Sequence, residues 1–233
     1  MQIDYAKALV TGGSSGIGLE IARQLRLRGA DVAICGRDGS KLQRMADLMG
    51  ALPIVADVSR EDEVVQMVAT VIERFGDYNV LINNAGFGSF APLMETSLEE
   101  MQRVYATNVF GAMLCARESA RYFIRQSYGN IVNVASTSGQ RGSAGGTAYS
   151  SSKFALSGMT ECWRGELRRH NIRVMQINPS EVQTNFFSVA GHERPLSDRK
   201  LRPLEIAHAV LAMLEMDDRG FVPEISVWAT NPD

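Results

Sequence analysis

From residue 6 to residue 228, short apolar runs take turns with stretches of helical period. No other feature limits the fold as much. The apolar runs are 6–11, 31–35, 52–56, 80–82, 130–134, 173–177 and 224–228. Helical periods fill 16–28, the stretch up to about Leu48, 147–169 and 203–214. Ser59-Arg60-Glu61-Asp62 reads as a capping box opening a helix to Phe75, and Ser97-Leu98-Glu99-Glu100 as one opening a long helix to about Arg125. Several of the runs are apolar on both faces. That pattern predicts a parallel sheet covered by helices on both sides, an α/β fold in three layers. The regular order breaks once, at 185–202, where Gly191, His192, Pro195 and several charges mix. A connection that long inside a compact domain reads as a substrate lid loop or as a disordered segment.

Charge and cysteine use narrow what such a fold would bind. The net charge is −2 with acids and bases interspersed, which argues against nucleic acid, since that needs a basic face. Cys35, Cys115 and Cys162 are widely spaced and form no Cys-x-x-Cys, and the three His have no ligand-like spacing. Neither disulfides nor a metal site is expected, and a reducing compartment fits. No secretory leader precedes the first run and no apolar run approaches 18 residues. The expectation is a cytoplasmic protein outside the membrane.

Two stretches carry chemistry. Thr11-Gly12-Gly13-Ser14-Ser15-Gly16-Ile17-Gly18 joins the first strand to the first helix. Glycine there lets the chain turn sharply and lets a pyrophosphate approach the backbone. The helix start adds free N–H groups and the positive end of its dipole. The second stretch is Tyr149-Ser150-Ser151-Ser152-Lys153, which on a helix sets a phenol and an amine one turn apart on the same face. A neighbouring cation favours the phenolate, so the pair can donate and accept a proton. Of 24 basic residues 20 are Arg, and Lys153 is the only Lys between Lys41 and Lys200. Lys can release a proton, whereas Arg holds it too firmly.

The Gly-x-x-x-Gly-x-Gly spacing, Asn83-Asn84-Ala85-Gly86 and the Tyr149/Lys153 pair, in this order, resemble the short-chain dehydrogenase/reductase family over nearly the whole chain. The resemblance implies a Rossmann-type doubly wound sheet of seven parallel strands, with residues 1–233 forming a single domain that binds the cofactor and carries the catalytic groups. It also implies hydride transfer between a nicotinamide cofactor and a small carbonyl or alcohol. Tyr149 would be general acid and base. Ser136, 13 residues before it, would hydrogen-bond the reacting oxygen. Lys153 would hold ribose hydroxyls and bias the Tyr149 proton, and Asn108 would fix a water linking Lys153 to solvent. Gly12, Ser14, Ser15, Gly16, Ile17, Gly18, Asn84, Ala85, Gly86, Pro179, Val182 and Thr184 would contact the cofactor, with Asp57 and Val58 at the adenine. Ser180 replaces the family's usual Gly after Pro179.

The second strand ends Cys35-Gly36-Arg37-Asp38. An acid at this point holds the ribose hydroxyl of NAD, and an Arg accommodates the phosphate of NADP. Gly36 leaves room, Arg37 offers a fork suited to phosphate, and Asp38 reads as a helix cap, so NADP is preferred over NAD. On the substrate side, Arg141 and Glu181 are expected on loops that converge on one pocket, with Arg141 as a substrate clamp or, more often for such an Arg, as surface charge or the partner of an acid such as Glu181. Phe87, Phe90, Phe186 and Phe187 read either as an apolar wall of the pocket or as part of the core. The ending Pro-Glu-Ile-Ser-Val-Trp looks like a subgroup acting on small hydroxy acids. The helices 98–125 and 147–169 would pair across a two-fold axis in a homodimer or homotetramer. Two rival functions stay open: a non-catalytic NADP(H) sensor, and an NAD(P)-dependent epimerase or dehydratase.

Overall fold

The structure, a computed structural model, describes residues 1–186 and 197–231. Seven strands form one sheet: β1 (Lys7–Thr11), β2 (Asp31–Gly36), β3 (Leu52–Val55), β4 (Val80–Asn83), β5 (Gly129–Val134), β6 (Ile172–Pro179) and β7 (Glu224–Val227). Their order is β3-β2-β1-β4-β5-β6-β7, and every pairing is parallel. This is the doubly wound Rossmann-like fold that the alternation predicts. The strand order reverses between β1 and β4, where Thr11 faces Cys35 on one side and Val10 faces Ile82 on the other. In open parallel sheets ligands bind beyond the strand ends at that reversal.

Two cores explain why the strands are apolar on both faces. Ala8, Val10, Ile34, Ile82 and Met175 pack under α1 (Gly16–Leu27), α2 (Gly39–Met49) and α7 (Pro203–Glu215). Leu9, Ala33, Leu81, Ile131 and Val174, the alternate residues of the same strands, pack under α3 (Glu61–Phe75) and the helix over 112–126. Successive side chains leave opposite faces of a strand, so a sheet covered twice needs both to be apolar.

Local signals set most helix ends. Asp38 accepts from Lys41 N at 2.9 Å and caps α2, and Gly50 closes that helix in the left-handed region, at φ 68°. Ser97 caps α4 (Leu98–Tyr105) through Glu100 N at 3.1 Å. The expected box at Ser59 does not form. Asp57 takes the Ser59 N–H and hydroxyl, at 3.0 and 2.8 Å, so α3 starts after Arg60, which caps with no side-chain bond. Nor is the long helix to Arg125 uniform. A π-helical turn, Ala106–Gly111, separates α4 from α5 (Ala112–Gln126). Such turns often mark functional positions, and Asn108 lies within this one. The helix α6 is Thr147–Leu167. Among the described residues no helix is long and apolar enough to cross a membrane. Phe187 and most of the expected lid loop lie outside the described residues. The flanks of that loop are tied together: Gln183 N donates to Leu201 O at 2.8 Å, and Ser197 N to Gln183 Oε1 at 2.7 Å.

Candidate active site

A cleft of about 650 Å³ opens at the strand-order reversal, lined at one end by the glycine turn and at the other by Ser136, Tyr149 and Lys153. The turn is held from below. Thr11 Oγ1 accepts from both Asn84 N and Ala85 N at 3.0 Å, and Asn84 Nδ2 donates to Thr11 O at 2.9 Å. Gly12 (φ 65°) and Gly16 (φ 56°) take left-handed conformations that side chains disfavour. A Cβ on Gly18 would overlap Asn84 Nδ2, so this glycine lets α1 approach the end of β4.

The first turn of α1 is prepared for an anion. Its cap, Ser15, makes no side-chain bond to the first-turn N–H groups, and no acidic residue stands in that turn. α2 and α4 by contrast are capped by their own Asp38 and Ser97. Uncapped donors on an elongated cleft, beside a glycine cradle, fit the pyrophosphate of a dinucleotide.

Gly36, Arg37, Asp57 and Val58 line the cleft beyond the turn. Arg37 is 69% exposed and lies 3.9 Å from the Asp57 carboxylate. Burial would raise the Asp57 carboxyl, but the Ser59 hydrogen bonds, with Arg37 and Arg60 nearby, hold it below its ordinary value. A Cβ on Gly36 would come 3.3 Å from Ser14 Oγ, so its absence keeps that corner open.

At the other end Tyr149 and Lys153, both on α6, are buried. Ser136 leaves β5 as the cap of the Thr137–Gly139 turn, accepting from Ser138 N at 3.1 Å and donating to Pro179 O at 3.5 Å, with its hydroxyl beside the Tyr149 phenol. Ser138 also lines the cleft, but Ser136 is the serine that acts on the Tyr149 phenol. Burial pushes the Tyr149 phenol up to about 12, against the Ser136 hydrogen bond, which lowers it. Burial brings the Lys153 amine down to about 8. Its Nζ donates to Val134 O at 2.9 Å and sits 5.8 Å from the Tyr149 ring centre.

Asn108 is a clamp. Its Oδ1 accepts from Phe87 N at 3.1 Å, and its Nδ2 donates to Phe87 O at 3.0 Å and Ser152 Oγ at 3.1 Å. Both amide hydrogens are spent on fixing the loop after β4 to α6. A Cβ on Gly86 would stand 3.0 Å from Asn108 Oδ1, so Gly86 lets that clamp close.

Phe90 and Phe186 flank Tyr149, with ring centres 5.5 and 5.3 Å from its own, and Phe87 lines the same cleft. The pairing of Arg141 with Glu181 is not what the structure brings together. Arg141 is exposed, donates its N–H to Thr137 O at 3.1 Å and is absent from the lining. Glu181 lines the cleft but pairs with Lys200 at 2.7 Å. Sequence reasoning missed Lys200, Ser143 and the Thr11 anchor; only Thr11 carried a signal, by opening the glycine motif. Pro179, Val182 and Thr184 all reach the cleft. Ser180 N donates to Val227 O at 2.9 Å. Among the described non-glycine residues only Ser127 and Asn171 have positive φ, so Ser180 replaces Gly without left-handed strain.

Comparison with known proteins agrees with this geometry. A family model for short chain dehydrogenases matches residues 6–194. The chain is 31% identical over 223 residues to an uncharacterized oxidoreductase of Staphylococcus aureus strain MRSA252, covering 94% of this chain and 95% of that one. Among solved structures it is similar to an alcohol dehydrogenase from the archaeon Thermococcus sibiricus complexed with 5-hydroxy-NADP, with TM-score 0.87 and 28% identity over 96% of each chain. It is similar also to a 3-ketoacyl-(acyl-carrier-protein) reductase from Brucella melitensis complexed with NADH, with TM-score 0.89 and 28% identity over 97% of this chain and 98% of that one. The protein belongs to the short-chain dehydrogenase family and is an oxidoreductase.

Proposed function

We propose that this protein interconverts a carbonyl and an alcohol on a small molecule, with NADP(H) as cofactor and Tyr149 as general acid and base. The observation that carries the reading is the meeting of Ser136, Tyr149 and Lys153 at one end of a cleft whose other end is the glycine turn. The bound nicotinamide supplies the hydride. In the reduction direction Tyr149 donates its proton to the carbonyl oxygen and Ser136 hydrogen-bonds the same atom. Lys153 would hold the ribose hydroxyls of the bound cofactor and, as an ammonium, would lower the cost of the phenolate. Asn108 keeps Phe87 and the loop after β4 in register with α6. On this reading residues 1–233 act as one catalytic domain.

NADP rather than NAD follows from the exposed Arg37 fork beside the bare Gly36. The solved relatives bind either a modified NADP or NADH, so both cofactors belong in the test. The aromatic wall of Phe87, Phe90 and Phe186 suits a substrate with an apolar group beside its carbonyl. Phe110 and Phe154 are 53% and 46% exposed. These rings, on the π turn and on α6, suit burial in a homodimer or homotetramer, which light scattering would detect. A cytoplasmic setting fits the free, unpaired cysteines.

The test is NADPH and NADH consumption against a panel of aldehydes, ketones and hydroxy acids, with product analysis. Net reduction of a carbonyl is expected. A product isomerised or dehydrated without net redox change would favour an epimerase or dehydratase, and binding without turnover would favour a sensor.

A further inference from the structure

We propose that Glu224, on β7, is a positioning residue for this reaction. Its carboxylate ends a hydrogen-bond chain that fixes the stretches holding Ser136 and Lys153. The inference rests on the oxidoreductase reading above. Glu224 Oε1 accepts from two side-chain amides, Gln140 Nε2 at 2.7 Å and Asn178 Nδ2 at 2.5 Å. The first arm holds the end of the Thr137–Gly139 turn that Ser136 caps. The second arm runs on through the sheet. Asn178 Oδ1 accepts from Gln176 Nε2 at 2.9 Å, and that nitrogen also donates to Ser157 Oγ at 3.0 Å. Ser157 Oγ in turn donates to Lys153 O at 3.1 Å. The two arms close on each other, because a Cβ on Gly139 would stand 2.9 Å from the same Lys153 carbonyl. None of these linking side chains lines the cleft, so Glu224 acts only through others.

The direction of the chain follows from chemistry. An ionised carboxylate only accepts. Asn178 must therefore turn its NH₂ toward Glu224 and its oxygen toward Gln176. Gln176 must then spend both its N–H groups on Asn178 and Ser157, and the Ser157 proton is left for Lys153 O. The cost is visible: Gln176 Oε1 is buried without a partner among the described residues. A donor-only side chain at 224 would invert the polarity of every link, while a carbonyl oxygen there would keep it.

The experiment compares wild type, E224Q, E224A and E224K as full chains, measuring kcat, KM, NADPH affinity by fluorescence and Tm, with a crystal structure of E224A. E224A is expected to lower kcat about tenfold, since small misplacements of catalytic groups cost that much or more. E224K should lower it further, and E224Q should return it to within about twofold of wild type, because an amide oxygen accepts from both partners. NADPH affinity should fall by much less than kcat, because the glycine turn lies outside the chain and only the Lys153 end of the cofactor site is touched. The E224A structure should show Ser136 drawn away from Tyr149. The proposal is overturned by a wild-type kcat in E224A, by E224Q as slow as E224A, by losses that merely follow Tm and NADPH affinity, or by an unmoved Ser136. Failure of the oxidoreductase reading would show differently, as no carbonyl-dependent NADPH consumption by wild type, and the E224A structure would then decide the positioning claim.

Discussion

The two ends of the cleft are built in different ways. At the cofactor end the backbone makes the site: Gly12 and Gly16 at positive φ, the uncapped start of α1, and Thr11 bonding the end of β4. All but the β4 end fall within eight residues of sequence, 11–18. At the substrate end side chains make the site, drawn from distant segments: Phe90, Ser136, Tyr149, Glu181 and Phe186. A backbone site depends on residue types that tolerate few substitutes. A side-chain site depends on how loops face one another, so its residues lie far apart in the sequence.

That difference can be sharpened by experiment, starting with the largest effect. Lys153 is buried with its amine near 8 rather than its ordinary 10.5. Between those values the unfolded chain binds the extra proton, so stability due to Lys153 rises as pH goes from about 8 toward 10. Denaturant unfolding across that range should show about 2–3 kcal/mol more gain in wild type than in Lys153→Met. Equal slopes would mean that the catalytic end does not pay for a buried charge. Above pH 10 the raised Tyr149 phenol works in the opposite sense, because the folded state then holds the extra proton.

The cofactor end is tested by Gly18→Ala. The new methyl meets Asn84 Nδ2 and Gly12 O, so a loss of about 2 kcal/mol in stability and weaker NADPH binding are expected from overpacking. A Tm and affinity equal to wild type would show that backbone closeness is not what the turn requires. Arg37→Asp should move the NADP/NAD ratio of kcat/KM at least tenfold toward NAD, equivalent to about 1.4 kcal/mol, with little change at the substrate end. An unchanged ratio would take Arg37 out of cofactor selection. Arg141→Ala should change stability and turnover by less than about 0.5 kcal/mol, as an exposed residue outside the cleft. A raised KM for an acidic substrate would restore Arg141 as a clamp.

The same contrast decides what could be read from the sequence. Strand positions and the parallel class were legible because a doubly covered sheet leaves apolar runs, and each run corresponds to one strand. The glycine turn was legible because its constraints are local. Ser136, Tyr149 and Lys153 were placed through spacing just after β5 and on α6, and the structure brings them to one end of the cleft. The Ser59 capping box failed because Asp57, two residues upstream, competes for the same serine, and helical period does not record such competition. The π turn at Ala106–Gly111 was invisible because one inserted residue barely alters an apolar pattern. Which of the readings of Arg141 holds was not legible, because loop direction is set by tertiary contacts; Arg141 stands exposed on the Thr137 carbonyl, and Glu181 pairs with Lys200.

On the proposed reading the Tyr149 hydroxyl moves the proton at the substrate oxygen. Tyr149→Phe keeps the ring that packs on Phe90 and Phe186 and removes only that hydroxyl. NADPH titration and steady-state turnover of this variant, beside wild type with a carbonyl it reduces, test the claim directly. Turnover is expected to fall at least a hundredfold, in line with loss of a general acid, with NADPH bound as tightly as before. Turnover within a few fold of wild type would contradict it.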